Sequence, residues 1–136
     1  MIGIVIEDLK NFDLDSLNDS CDNKAVVFTD CELPPKEYRN LSFFTCCLAY
    51  NFNNPLVATC MKSAMSLLDM PLCNKKLMLV PQNLWIGQNV LYEELLNVYN
   101  NDNLELVATT KEQADIVESF FKRPIVVENI LDIKEM

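Results

Sequence analysis

The residues Leu-Val-Ala-Thr at positions 56–59 return, letter for letter, at positions 106–109. Each copy leads into a helical pattern and then into another apolar run, so each unit is expected to form a strand, a helix and a strand. Two such units predict one mainly parallel sheet with helices packed against it. The expected helices span 61–69 and 111–122, and the strands that follow them span 77–80 and 124–128.

The rest of the chain continues this alternation of strands and helices. Asp13 is predicted to cap a short helix that turns Leu14 and Leu17 inward. Strands are predicted over the apolar runs 2–6 and 25–29 and at the start of 41–50.

A further helix is predicted over 90–100. Its core face is expected to carry Leu91, Leu95 and Val98, with Tyr92 and Tyr99 beside that face. Together these elements predict an α/β fold, a Rossmann-like three-layer sandwich whose mainly parallel sheet has about six or seven strands. We expect one domain over residues 1–136.

Composition narrows the class of protein. The chain has 136 residues and half of them are hydrophobic, which suits one domain with a single core. No apolar run approaches the roughly 18 residues of a membrane span, and the amino terminus lacks the basic flank of a signal peptide. We therefore expect a soluble, cytoplasmic protein with no membrane partner.

Charge and residue types argue against several functions. The net charge of −9 disfavours binding to a nucleic-acid backbone, which requires clustered Lys and Arg. The sequence has no histidine and no Cys-x-x-C pair, so we expect no metal and expect the six cysteines to be reduced and buried. Two glycines cannot form a Gly-rich phosphate loop, so no nucleotide cofactor is predicted.

An Asp-x-Asp sequence at Asp13-Leu14-Asp15 matches the motif that binds manganese in one class of glycosyltransferases. The same residues also make a good helix start, because a carboxylate at the first position accepts from the backbone of the first turn. We favour the helix start over a metal site.

Ligands of open parallel sheets bind beyond the carboxyl ends of the strands, so the residues just after each predicted strand are the candidates. An amide pair beside an indole suits a sugar or base ring, and two of the threonine positions stand at helix starts, which attract anions. The alternatives are that the threonines only cap helices and that the tryptophan only packs over the core edge. The candidate ligand-binding residues are Thr59, Gln82, Asn83, Trp85, Thr109 and Thr110, while Glu7, Asp30, Cys60 and Asn129 occupy comparable positions.

Three segments also carry a resemblance, namely Leu56–Thr59, Lys75–Trp85 and Leu106–Ala114. They resemble the amino-terminal Rossmann-like domain of GT-B glycosyltransferases. That domain contains three such strands in succession. The first ends in Ala-Thr, the second begins with lysine and ends near Gln or Asp with an aromatic residue, and the third ends in Ala-Ser or Ala-Thr. Residues 125–129 correspond to the segment that leads to the second domain, and the similarity covers roughly residues 55 to 130. The chain also resembles small glycosyltransferase-like proteins of tailed bacteriophages.

The resemblance implies a glycosyltransferase-like accessory or binding domain with a sugar or glycan as its ligand, in the host cytoplasm if the protein is viral. In the family, the carboxyl-terminal domain holds most of the sugar nucleotide, and this chain is expected to lack that domain. Autonomous transfer is therefore not expected, whereas a protein partner or a homo-oligomer is. Two alternatives remain: a subunit of an active glycosyltransferase that binds the acceptor, or a phage virion or host-takeover interaction protein.

Overall fold

The structure is a computed structural model that describes residues 2–7, 9, 12–20, 25–30, 34, 36–80 and 91–127, with only the backbone of Ser20. Within these residues the chain forms seven strands, four α-helices and a 3-10 helix. The strands are β1 Gly3–Val5, β2 Ala25–Phe28, β3 Leu41–Phe44, β4 Leu56–Ala58, β5 Lys76–Leu79, β6 Glu105–Ala108 and β7 Ile125–Val126. The helices are α1 Leu14–Ser20, the 3-10 helix Cys46–Asn51, α2 Met61–Leu68, α3 Tyr92–Tyr99 and α4 Lys111–Phe120.

All seven strands belong to one parallel sheet in the order β3-β2-β1-β4-β5-β6-β7. The first six follow the 3-2-1-4-5-6 order of the Rossmann fold, in which the direction of strand addition reverses beside β1. Val5 of β1 lies opposite Phe28 of β2 and Ala58 of β4. The predicted α/β, Rossmann-like fold is therefore confirmed.

The repeated Leu-Val-Ala-Thr sequence forms two equivalent strands, as predicted. Leu56 and Leu106 face one core cluster, whereas Val57 and Val107 face the other. Successive side chains of a strand point to opposite faces, and an inner parallel strand is covered on both of them. This explains why each copy is apolar throughout, with Thr placed just after the strand.

Helices cover both faces of the sheet. Side chains of α2, α3, α4 and the 3-10 helix pack in one core cluster with Leu56, and those of α1 pack in the other with Val57. Among the described helices, α1 is the only one on its face. The arrangement is the expected three-layer sandwich.

In helix α3 the predicted burial is wrong for two residues, Leu91 and Tyr99. Leu91 was expected in the core, but 68% of it is exposed, whereas Tyr99 was expected beside the core face and is fully buried. Leu91 precedes the first helical residue, and its extended backbone, with ψ at 145°, turns its side chain off the helical stripe. The inward stripe therefore consists of Leu95, Val98 and Tyr99, spaced as neighbours on one helix face.

Helix α4 turns an apolar face towards the core. Ala114 and Val117 are fully buried, and Phe121, which follows the last helical residue, packs against Tyr99 with 5.1 Å between ring centroids. The Lys122 ammonium donates to two backbone carbonyls in the connection between α3 and β6. Partial burial lowers the pKa of Lys122.

The prediction that the cysteines are buried is wrong for those the structure describes. Cys47 is exposed, and Cys46, Cys60 and Cys73 are half-buried thiols. These residues lie in or beside the turns that join strands to helices, so their surroundings are only partly apolar.

Gly3 lies at a close approach in the centre of the sheet. A Cβ atom at this position would lie 2.6 Å from Leu56 Cδ2, 2.9 Å from Phe52 Cε1 and 3.0 Å from Phe28 Cε2. A larger residue at position 3 would therefore require these packed side chains to shift.

We predict that Gly3→Ala lowers the free energy of unfolding by about 1–3 kcal/mol, because an extra methyl group would force packed side chains apart. This cost exceeds the roughly 0.4–1 kcal/mol that alanine gains by restricting the unfolded chain. Urea unfolding followed by circular dichroism measures the change, with Asn53→Ala in an exposed loop as the control. Equal stability of the two variants would contradict the packing argument.

Candidate functional site

The carboxyl edge of the sheet brings two of the predicted site residues into one region. Thr59 follows β4 and Thr109 follows β6, and β5 lies between these strands. Since neighbouring strands are about 4.8 Å apart, the two threonines lie on the order of 10 Å apart. This separation is comparable to the width of a sugar ring with its hydroxyl groups.

Gln82, Asn83 and Trp85 lie outside the described residues. The last described residue before them is Val80, which follows β5 and whose N–H donates to the carbonyl of Val107 over 2.8 Å. The strand that leads to these three residues therefore ends between the two repeat threonines.

Thr59 connects β4 to β1 at the point where strand order reverses. Its hydroxyl donates to the Val5 carbonyl over 2.7 Å in a half-buried position. In open α/β sheets the crevice at this reversal is the usual ligand site. Because the Thr59 hydroxyl donates its one proton to Val5, it has no proton left to donate to a ligand in this crevice.

One backbone N–H in the first turn of α2 is satisfied by a side chain. The Cys60 sulfur accepts from the Ser63 N–H over 3.5 Å and lies 3.1 Å from the Ser63 hydroxyl oxygen. Ser63 is buried, so this contact is shielded from solvent. Cys60 thus caps a helix, in place of the usual Ser, Thr or Asp.

Thr110 caps the start of α4, as the alternative interpretation of the threonines expected. The Thr110 hydroxyl oxygen accepts from the Gln113 N–H over 3.2 Å, and the Thr109 hydroxyl donates to the Gln113 side-chain oxygen over 3.4 Å. Thr110 is exposed, whereas Thr109 is half-buried. A hydroxyl that accepts one bond keeps its own proton to donate, so Thr110 retains a donor for a ligand.

A carboxylate also stands at the reversal of strand order. Glu7 follows β1, and its Oε2 lies 4.0 Å from Nζ of Lys62 in the first turn of α2. The Lys62 side chain is 83% exposed, so solvent screens this ion pair strongly. The sequence points to Glu7 by its position after a strand, whereas no local pattern identifies Lys62 as its partner.

Asp30 after β2 has a structural role. Its carboxylate accepts from the Cys46 N–H over 2.9 Å and so supports the start of the 3-10 helix. Like Thr59 and Cys60, it satisfies the backbone near the strand ends.

A polar cleft of about 260 Å³ lies at the opposite edge, beside the amino ends of β5 and β6. Three of its charged residues have partners: Lys75 Nζ lies 3.6 Å from Glu105 Oε2, and Lys76 donates to the Leu68 carbonyl over 3.0 Å. Burial raises the pKa of Cys73, which makes this thiol a poor nucleophile at neutral pH. The lining residues are Cys73, Asn74, Lys75, Lys76, Asp102, Asn103 and Glu105.

The Asp-x-Asp sequence forms a helix start, as we favoured. Asp13 accepts from the Ser16 N–H over 3.0 Å, and Asp15 lies 2.7 Å from Lys36 Nζ. In the part of the chain that the structure describes, no three side chains with metal-ligating groups come together. None of the described helices has the length and apolarity to cross a membrane.

Comparison of the chain with protein-family models, with curated proteins and with solved structures returns no match. The resemblance to GT-B glycosyltransferases and to phage proteins therefore stays a prediction, and the site must be judged on its own geometry.

We predict that Thr59→Val lowers the free energy of unfolding by about 1 kcal/mol, because the Val5 carbonyl loses its hydrogen-bond donor. The matched control is Thr45→Val, since Thr45 is exposed and its hydroxyl lies 3.2 Å from the sulfur of the exposed Cys47. This control is expected to change stability by less than about 0.5 kcal/mol. Chemical denaturation measures both variants, and equal effects would show that the Thr59 hydroxyl does not hold β4 to β1.

Proposed function

We propose that this chain is a glycosyltransferase-like accessory or binding domain that holds a neutral sugar or glycan and does not transfer sugar by itself. The ligand would lie at the carboxyl edge, between the ends of β4 and β6. The strand order supports this placement, because ligands of Rossmann-type sheets bind at this edge.

The observation that carries the proposal is the Glu7 carboxylate at the reversal of strand order. A diphosphate placed there would meet this negative charge, and the lysine that the structure places beside Glu7, Lys62, is highly exposed. Thr59 and Cys60, which could otherwise bind the diphosphate, are already bonded to Val5 and Ser63. These contacts favour a neutral ligand over a nucleotide.

The neighbouring part of the edge suits a neutral polyol. Thr110 is exposed and keeps a hydroxyl donor, and Thr109 lies next to it on the same strand end. Sugar sites combine hydrogen-bonding groups with an aromatic ring, and the chain continuing from β5 contains Gln82, Asn83 and Trp85. We propose that these residues complete the site.

Glu7 also favours a second candidate function, an active subunit that binds the acceptor. Its side chain is 35% exposed at the carboxyl end of β1, where a bound acceptor hydroxyl could reach it. A carboxylate in that position can act as a general base. In this second function a partner would supply the sugar donor.

Ligand-observed NMR with neutral oligosaccharides and nucleotide sugars tests the first function. We expect saturable binding of a neutral oligosaccharide, weakened about tenfold or more in Trp85→Ala because an indole stacking surface is lost. The control is Phe120→Ala, which removes an aromatic ring that is 58% exposed at the far end of α4. Equal loss in both variants, or no binding to the folded chain, would contradict the proposal.

The same preparations separate the two functions when they are assayed for sugar transfer or donor hydrolysis. The first function predicts no turnover by the chain alone. Turnover that falls at least about a hundredfold in Glu7→Gln would instead establish the second function, because general-base catalysis contributes factors of this size.

A further inference from the structure

One continuous segment of this acidic chain carries no charge. Charged residues make up 23% of the sequence and the net charge is −9, yet no Asp, Glu, Lys or Arg occurs from Asn40 to Met61. The segment includes β3, the 3-10 helix and β4. Since β4 is buried inside the sheet, the uncharged surface of this segment belongs to β3 and the 3-10 helix.

Several side chains on this surface are apolar and exposed. Phe44 at the end of β3 is 46% exposed, and Leu48 and Tyr50 in the 3-10 helix are 45% and 43% exposed. Cys47 between them is exposed as well. We call Phe44, Cys47, Leu48 and Tyr50, together with the outer side of β3, the uncharged edge.

Among the residues that the structure describes, no strand pairs with the outer side of β3. β3 is the end strand, and the carbonyls of Asn40 and Phe44 accept from β2, over 2.8 Å from Ala25 and 2.9 Å from Thr29. Backbone groups alternate in direction along a strand, so those of Leu41 and Phe43 point away from β2. Such an edge is a template for another strand.

The other end of the sheet differs in the features that discourage pairing. β7 is only two residues long and directly follows Pro124. The neighbouring Arg123 is paired with Asp115 and Glu118, which places several charges beside that end. Short strands, proline and charge protect sheet edges, and β3 contains neither proline nor charge.

We propose that a second copy of this chain binds at the uncharged edge, so that two β3 strands pair antiparallel across a twofold axis. The outward backbone groups set the register: Leu41 would pair with the partner's Phe43, and Phe43 with the partner's Leu41. Ser42 would then lie on the axis, opposite the partner's Ser42. This contact joins two seven-stranded sheets into one continuous sheet.

The charge distribution identifies a second copy as the occupant. Two chains of charge −9 repel one another over most of their surfaces. The uncharged edge itself brings no charged side chain to the contact, and the nearby Asp30 carboxylate accepts a hydrogen bond from the Cys46 N–H. A basic partner would gain more from the acidic surfaces elsewhere on the chain. A twofold contact also requires a self-complementary surface, and one strand paired antiparallel with its own copy provides it.

Sedimentation equilibrium over the micromolar range tests the contact. We expect a dimer whose affinity rises with salt, because salt screens the repulsion between the two acidic chains. Ser42→Lys and Ser42→Glu are each expected to weaken the dimer by about tenfold or more, since like charges would lie directly opposite each other. An equimolar mixture of the two variants should restore association.

The Ser42→Lys and Ser42→Glu variants together distinguish a second copy of the chain from any other partner. A different partner that is either acidic or basic would be repelled by only one of the two variants. Each variant should instead repel a second copy of itself, and mixing the two variants should restore the dimer. Circular dichroism of each variant shows whether it is folded. A wild-type chain that stays monomeric, or folded variants of both signs that dimerise normally, would overturn the proposal.

Oxidative cross-linking checks the register in a background where Cys47→Ser removes the thiol that is exposed among the described cysteines. Ser42→Cys should form a disulfide-linked dimer, because opposed residues without mutual hydrogen bonds have Cα atoms about 4.5 Å apart. The control is Met65→Cys on α2, where the native side chain is 47% exposed and far along the chain from β3. Equal cross-linking of both variants would contradict the proposed register.

Discussion

Strand β1 pairs in parallel with both β2 and β4, and the positions of the other elements depend on this double pairing. It divides the chain into two halves, with β2 and β3 on one side and β4 to β7 on the other. The contact is tight, because Gly3 leaves no space for a Cβ between Leu56, Phe52 and Phe28. Where β1 ends, the Thr59 hydroxyl donates to Val5 and joins the two halves. The proposed ligand site lies beside this junction.

Much of the fold could be predicted from the sequence because its signals are local. The repeated Leu-Val-Ala-Thr sequence and its helical continuations predicted two strand-helix-strand units, and the apolar run of β1 predicted a strand covered on both faces. The prediction for α3 was wrong at Leu91 and Tyr99, because one extended residue before a helix removes a side chain from the helical stripe. The prediction that the cysteines are buried was wrong because it used their hydrophobicity alone, whereas the described cysteines lie in or beside turns.

The candidate site was only partly predictable. Helix capping depends on neighbours, so the bond from Gln113 to Thr110 could be foreseen from their spacing. The bond from Thr59 to Val5 joins residues 54 positions apart, and the pair of Glu7 and Lys62 forms only when β1 and α2 meet. Sequence position thus indicated which residues lie at the strand ends, whereas packing determined which of them remain available to a ligand. Because Thr59 is bonded to Val5 whereas Thr110 keeps a donor, we place the proposed site nearer to β6 than to the reversal of strand order.

We propose that the carboxyl edge between β4 and β6 accepts a neutral sugar and that nucleotides do not bind at the reversal of strand order beside β1. Amide NMR spectra recorded during titration with a neutral oligosaccharide and, separately, with a nucleotide sugar test it most directly. The account predicts saturable shifts at Thr109 and Thr110 with the oligosaccharide and no shift at Glu7 with the nucleotide. Shifts at Glu7 on adding nucleotide, or shifts confined to the cleft beside Cys73 and Glu105, would contradict it.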